Sequence, residues 1–381
     1  MYRLLFLTIA LIVYGSLYPW RFDFSGSAGH PLLVLLHSWP TVWDRFALRD
    51  AAVNLLLYLP LGAAAIWAPP RRLRGALGIA PVVLGAAALS ISMEILQVYV
   101  PGRVCSLSDV LCNTVGAASG VALALVYHPA PAGRGQAKVP ANGLLLLALF
   151  AGYEMYPFFP VLSQTALRHS LESLVAAEGF SLSEVWCWAG EWFAALVILK
   201  VSLDARTGTP AGRTRPLLAL LCLPLRMVIP ARTLALHEVL GAAAASLAWI
   251  LLPGHVRLRT AAWFLAAAIV LHELAPFHFA AAPSTFSWIP FAPTLASDWQ
   301  SALVVLFSKA FDYGAMVWLL AANGISYARA GTAVAAALAV LEAVQRYLPG
   351  RTPETTDAVL TIILTAVLWS LNNFQHRRGL A

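Results

Sequence analysis

The sequence predicts an all-α, polytopic transmembrane protein of about 12 spans, arranged as three repeated four-helix units. Three observations predict it. Hydrophobic residues make up 60% of the 381-residue chain and charged residues only 11%, at a mean hydropathy of +0.74, whereas soluble domains carry about 25% charged residues. The apolar residues fall in blocks long enough to cross a hydrocarbon core, which needs roughly 20 residues per helix. Similar segments also recur at regular distances along the chain.

The first block, Leu4 to Tyr14 after Met1-Tyr2-Arg3, has the charged and apolar regions of a signal peptide. No small-x-small cleavage site follows, so it reads as an uncleaved first span. Breakers place the spans near 3–18, 51–68, 75–99, 107–127, 142–159, 183–203, 214–230, 234–253, 260–276, 301–322, 327–348 and 355–372. Only Pro230-Ala231-Arg232 separates the seventh from the eighth.

An even count puts both termini on one side. The loops on that side hold Arg71, Arg72, Arg74, Arg134, Lys138, Lys200, Arg206, Arg213, Arg215, Arg257, Arg259 and Arg329; with Arg3, Arg377 and Arg378 this is 15 of the 25 basic residues. The positive-inside rule makes that side cytoplasmic. Asp204 is the one acid of 18 in those loops, so any chemistry is expected to face outward. The expected location is the bacterial cytoplasmic (inner) membrane, with both termini cytoplasmic.

The basic residues are dispersed between spans, which excludes the concentrated patch of a nucleic-acid-binding surface. Cys105, Cys112, Cys187 and Cys222 show neither CxxC spacing nor a paired framework, so neither disulfide nor zinc site is indicated. His37, His237, His272 and His278 lack ligand spacing, and His237-Glu238 and His272-Glu273 are not HExxH. No metal or other cofactor is expected.

The repeat has two parts. Spans one, five and nine end at Tyr18-Pro19-Trp20, Tyr156-Pro157-Phe158 and Ala275-Pro276-Phe277, with Ser16, Glu154 and Glu273 three residues before the proline. Pro101-Gly102-Arg103 with Asp109 matches Pro349-Gly350-Arg351 with Asp357 at an offset of 248, and Glu94 and Gln97 then fall on Glu342 and Gln345. A fainter copy, Pro230-Ala231-Arg232 with Glu238, lies at an offset of 129. The units are 1–130, 140–254 and 258–373. Only the first is complete, because Asn113 corresponds to Ala242 and Thr361 and Gly116 to Ala245 and Leu364.

The chemistry-bearing motif sits in that first unit. Glu94 and Gln97 share one face of an apolar helix, where a carboxylate needs a partner. Arg103, across a Pro-Gly turn, could pair with Glu94 either to pin the hairpin or as part of a site. Ser106-Leu107-Ser108-Asp109 reads either as a capping box or as a source of a functional carboxylate, the acid recurring at Glu238 and Asp357 where Ala235 and Glu354 hold the cap position. Asp109 and Asn113 share a face, and Gly116-x-x-x-Gly120 permits close helix contact. Asp50, Asn54 and Tyr58 form a second stripe at i, i+4, i+8, which should face the bundle interior. Pro60 follows and should kink that helix. An arginine among carboxylates and amides suits a phosphate or sugar head group.

These residues resemble the VanZ-like family of bacterial membrane proteins. The pattern is Asn54-Leu-Leu-Leu-Tyr58-Leu-Pro60-Leu-Gly62, then Ser92-Met-Glu94-Ile-Leu-Gln97, Pro101-Gly102-Arg103, and Ser106-x-x-Asp109-Val-Leu-x-Asn113-Thr114-x-Gly116. Residues 287–370 resemble a second copy lacking the asparagine and glycine. The resemblance implies a cell-envelope protein of the teicoplanin-resistance family, acting on lipid or lipid-linked glycan head groups. Glu94, Asp109 and Gln97 would then be catalytic, and Arg103, Asn113, Asn54, Asp50 and Tyr58 would bind substrate. The expected partners are membrane lipids or lipid-linked glycans. A transporter or flippase for an amphipathic molecule and a non-catalytic membrane scaffold are the alternative classes.

Overall fold

A computed structural model of the protein describes residues 2–25, 29–39, 45–68, 76–126, 141–156, 168, 171, 172, 174, 180–207, 223, 226, 229, 234–296 and 299–379. Among the described residues the chain is helical, with one isolated bridge between Ser287 and Glu354 as its only extended pairing. Seven helices are long and apolar enough to cross a membrane: Asp50–Trp67, Gly78–Gln97, Leu107–Leu125, Leu182–Asp204, Ser301–Ala322, Tyr327–Gln345 and Thr356–Asn373. Only a helix satisfies every backbone N–H and C=O within one segment, as a hydrocarbon solvent requires. This is a multi-pass membrane protein. Most of the span expected at 214–230 lies outside the described residues, as do the loops holding Arg71, Arg72, Arg74, Arg134 and Lys138.

The chain divides into two compact units, Met1–Pro131 and Ala132–Ala381. The first comprises α1 (Tyr2–Leu17), the short α2 (Pro31–Leu36), α3 (Arg45–Trp67), α4 (Ala76–Gln97) and α5 (Leu107–Val126). Its tightest contact is between α3 and α5. A Cβ placed on Gly62 would lie 1.9 Å from the Ala117 carbonyl oxygen, one on Gly116 2.2 Å from that of Leu55, and one on Gly120 2.0 Å from that of Leu59. With lipid as apolar as leucine, close backbone packing rather than the hydrophobic effect holds such helices together. The order of contacts, Leu55 on Gly116 and then Leu59 on Gly120, makes the helices parallel. Ile12 of α1, Tyr58 and Leu61 of α3, Ala86 of α4 and Ala117 of α5 fill the core beside this seam. Pro60, expected to kink this helix, lies inside α3, which continues to Trp67.

The second unit contains α6 (Ala141–Met155), α7 (Leu182–Thr207), α8 (Leu236–Leu251), α9 (Arg257–Leu274), the short α10 (Ala292–Ala296), α11 (Trp299–Ala322), α12 (Tyr327–Gln345) and α13 (Thr356–Gly379). Its core is larger and aromatic. Phe150 of α6 meets Trp192 of α7 edge-on at 4.9 Å and Phe311 of α11 at 4.7 Å. Phe193 of α7 packs against Trp249 of α8 and Phe264 of α9.

The α3–α5 seam generates a stability prediction. Gly120→Ala puts a methyl group into the Leu59 carbonyl and should destabilise by about 1–3 kcal/mol, the usual cost of overpacking. Gly85→Ala, with nothing within 4 Å of the new carbon, should be neutral or slightly stabilising. Thermal unfolding of the two variants in detergent checks this, a lowered midpoint being expected for Gly120→Ala alone.

Candidate functional site

The polar residues of the first unit gather where α3, α4, α5 and the 98–106 turn meet. Gln97 ends α4, and the chain turns through Pro101-Gly102, with Gly102 at φ +83°, before Leu107 starts α5. Three side chains hold this turn. Buried Glu94 accepts the Ser106 backbone N–H at 2.8 Å. Gln97 Nε2 donates to the Ser16 carbonyl at 3.0 Å. Arg103 donates through Nε to the Tyr18 carbonyl at 3.1 Å and through Nη2 to that of Gly15 at 2.7 Å.

Two expectations are thereby corrected. Arg103 forms no ion pair with Glu94 among the described residues; its guanidinium caps the C-terminal end of α1, where free carbonyls and the helix dipole attract a cation. Nor do Ser106 and Asp109 close a reciprocal capping box, because Glu94 takes the N–H that Asp109 would need. Gln97, expected to be catalytic, commits its amide to the α1 backbone. The 98–106 turn also buries Cys105, which pushes its thiol up to about 11, with the nearby Glu94 and Asp109 carboxylates acting in the same direction. That thiol stays protonated and inert near neutral pH.

Beyond the turn the expected cluster is assembled. Glu94 lies within electrostatic reach of Asp109, Asp50 and Arg103. Asn54 stands beside the Asp109 carboxylate, whose other neighbours are Ser106 and Ser108, the Ser108 hydroxyl at 3.4 Å. Asn113 Nδ2 donates to Ser90 Oγ at 2.9 Å. The Asn113 Oδ1 atom and the Tyr58 hydroxyl, the latter beside Ser90, are buried without a hydrogen-bond partner among the described residues. The cluster is graded: Glu94 and Asn113 are buried, Asn54 and Asp109 half-buried, Asp50 and Arg103 exposed. One end is therefore dry and the other reaches the surface. Sequence reasoning missed Ser90, although it stands at i−4 from Glu94 on the same face of α4.

A second set of buried polar groups lies in the second unit. Glu342 accepts the Glu354 N–H at 2.8 Å, and Gln345 Nε2 donates to the Glu273 carbonyl at 3.1 Å. Arg351 donates to the carbonyls of Ala275 and His272. These are the partners of Glu94, Gln97 and Arg103 transposed to the later segments. Lys309 then pairs with Asp357 at 2.6 Å, and the Tyr313 hydroxyl donates within a network that joins Asp357 at 2.6 Å and Glu273 at 2.9 Å. Arg226 sits between Glu154 at 3.3 Å and Glu238 at 3.1 Å and lies over the Trp188 ring. Glu191 and Asp312 line a cavity of about 20 Å³ together with Glu273 and Lys309. Glu191 Oε2 and Asp312 Oδ1 are buried there without a hydrogen-bond partner among the described residues. The signal for this set was present, since Lys309 and Asp312 interrupt a 22-residue apolar span. Among the described residues no group of three or more His, Cys, Asp or Glu is placed to hold a metal ion.

With the geometry described, comparison with known proteins adds one match. The family described as VanZ/LLP1 matches residues 2–128, which is nearly all of the first compact unit. Neither the curated proteins nor the solved structures include a match to the chain.

The Glu94–Ser106 bond separates charge from hydrogen bonding. Glu94→Gln keeps an acceptor for the Ser106 N–H and should leave the folded yield within about twofold of the parent. Glu94→Ala orphans a buried donor at a cost of about 1–3 kcal/mol. Detergent-extracted, monodisperse yield and unfolding temperature of the two variants check this, with loss expected for alanine only.

Proposed function

We propose that the VanZ-like first unit binds the anionic head group of a lipid or lipid-linked glycan at the outer leaflet of the bacterial cytoplasmic membrane and modifies it by acid–base chemistry. The observation that carries this reading is the graded cluster itself. Carboxylates inside a membrane bundle are costly and mark functional positions, and here Asp109 and Glu94 connect to exposed Asp50 and Arg103. Arg103 has five N–H donors, of which two are engaged with α1; the others are suited to a phosphate. Asp109 is the candidate acid or base, Asp50 and Glu94 its charged neighbours. Asn54, Asn113 and Tyr58 orient the substrate, Asn113 with a buried carbonyl oxygen that has no hydrogen-bond partner among the described residues. The family similarity of residues 2–128 supports the same assignment.

The domain reading belongs to this proposal. The chain comprises three four-helix units of common descent, 1–130, 140–254 and 258–373, with both termini cytoplasmic. Support comes from three contacts that recur in register: Gln97 on Ser16, Arg226 on Glu154 and Gln345 on Glu273. In the third unit Lys309 stands 255 residues after Asn54 and Tyr313 the same distance after Tyr58. There the lysine neutralises Asp357, so that copy serves packing. Transport is the second reading, favoured by the partnerless oxygens of Glu191 and Asp312 around their small cavity. Uptake of an amphipathic solute into proteoliposomes, lost in Asp312→Asn and kept in Asp109→Asn, would favour it.

The decisive test is lipid and envelope-glycan analysis of a deletion strain complemented with variants. Asp109→Asn and Asp50→Asn should insert at parental levels and lose the modification by about 10²-fold or more, the range for an acid–base group. Lys309→Met should alter folded yield without altering product per folded molecule. Identical lipid and glycan profiles in the parent, deletion and variant strains would overturn the proposal.

A further inference from the structure

Away from the polar clusters, an apolar groove of about 210 Å³ runs between α9 and α11 in the second unit. Its floor is made by Ala262 and Ala266, whose small side chains leave the space, and its far wall by Met316 and Leu320. Trp263 forms the near wall and is 76% exposed. Asn323 closes one end by donating to the Leu258 carbonyl at 3.3 Å and that of Leu319 at 2.8 Å, which ties the end of α11 to the start of α9. Arg259, on the groove's face of α9, lies at this same end.

The surroundings of that end select the occupant. Arg259 is exposed and makes no ion pair or hydrogen bond among the described residues. Arg257 lies two residues before it, stacked over Trp249 at 4.4 Å, and Arg329 opens the neighbouring α12. Neither α9 nor α12 has an acid in its first turn. A groove whose only charged lining residue is Arg259 thus leads along an apolar channel on the surface of a span that crosses the membrane, Ser301–Ala322. An arginine beside an anionic bilayer surface attracts acidic head groups, and a tryptophan at such a depth is characteristic of the interface.

We propose that the α9–α11 groove is a binding site for an anionic phospholipid, with one acyl chain lying on Ala262 and Ala266 and the phosphate on Arg259. The site lies within the second unit, at the arginine-bearing start of α9. It selects lipid by charge at one end and by the width of the alanine-floored channel along the rest.

Native mass spectrometry of the delipidated full-length protein tests this, using phosphatidylglycerol and phosphatidylcholine with identical chains. The parent should retain phosphatidylglycerol about fivefold more than phosphatidylcholine, the preference that one interfacial arginine confers. Arg259→Ala, a surface change, should abolish the preference. Ala266→Trp should fill the channel and reduce retention of both lipids; Ala266→Ser, which keeps the channel open, should behave as the parent. Equal retention of the two lipids by the parent overturns the proposal. So does an unchanged preference in Arg259→Ala, or unchanged retention in a folded Ala266→Trp.

Discussion

Helix α3 lies so close to α5 that the backbone of each touches the other at Gly62, Gly116 and Gly120, and this approach fixes where the polar side chains of both helices must go. Because the helices run parallel, their N-terminal halves face one another. Asp50 and Asn54 on one are thereby set beside Asp109 on the other. Both N-termini bring the positive ends of their dipoles to the same region, which favours anionic groups there. A pair of side chains in place of the glycines would force the axes apart and separate Asn54 from Asp109. The site is thus a consequence of the seam, and only secondarily of the residues that line it.

The later segment shows what happens without the seam. Val317 stands where Gly62 would fall and Leu364 where Gly116 would, so α11 and α13 cannot approach in the same way. The space is bridged by a long side chain: Lys309 reaches Asp357 at 2.6 Å, and Tyr313 reaches the same carboxylate from the same helix. Attraction between opposite charges there replaces backbone packing as the tie between helices. The ion pair also consumes the acid, whose first-unit counterpart stands beside Asn54, Ser106 and Ser108 and forms no ion pair among the described residues.

Much of this was legible from the residues. Helix class followed from apolar blocks that only a helix can carry through lipid, and the Gly116-x-x-x-Gly120 spacing announced the close contact. The stripe at Asp50, Asn54 and Tyr58 was readable because a polar row on an apolar helix has one place to face. What failed was pairing by charge. Arg103 and Glu94 are natural partners by charge across a short turn, yet each is satisfied by backbone, the arginine by carbonyls and the acid by an N–H. Backbone groups carry no letter in the sequence, so a reading that matches acids to bases overlooks them. In a membrane they are the most demanding partners present, because each one left unpaired costs several kcal/mol.

That same substitution of backbone for side chain changes which residues can account for a function confined to one unit. The Glu94 bond to Ser106 recurs as Glu342 to Glu354, the Gln97 bond as Gln345, and the paired carbonyl contacts of Arg103 as those of Arg351. Interactions shared with a segment whose acid is already neutralised are sufficiently explained by architecture: they tie the ends of α1 and α9 to the turns before α5 and α13. The groups without a counterpart are Asp50, replaced by Val305; Asn54, replaced by Lys309; Ser90, replaced by Leu338; and Asn113, replaced by Thr361. Of these four, on three different helices, Asp50 and Asn54 stand beside Asp109, which forms no ion pair among the described residues, while Ser90 and Asn113 bond to each other deeper in the bundle. If one unit alone does chemistry, its distinguishing feature is therefore an unneutralised carboxylate among amides, held open by a glycine seam, rather than the arginine and glutamate that dominate the motif in the sequence.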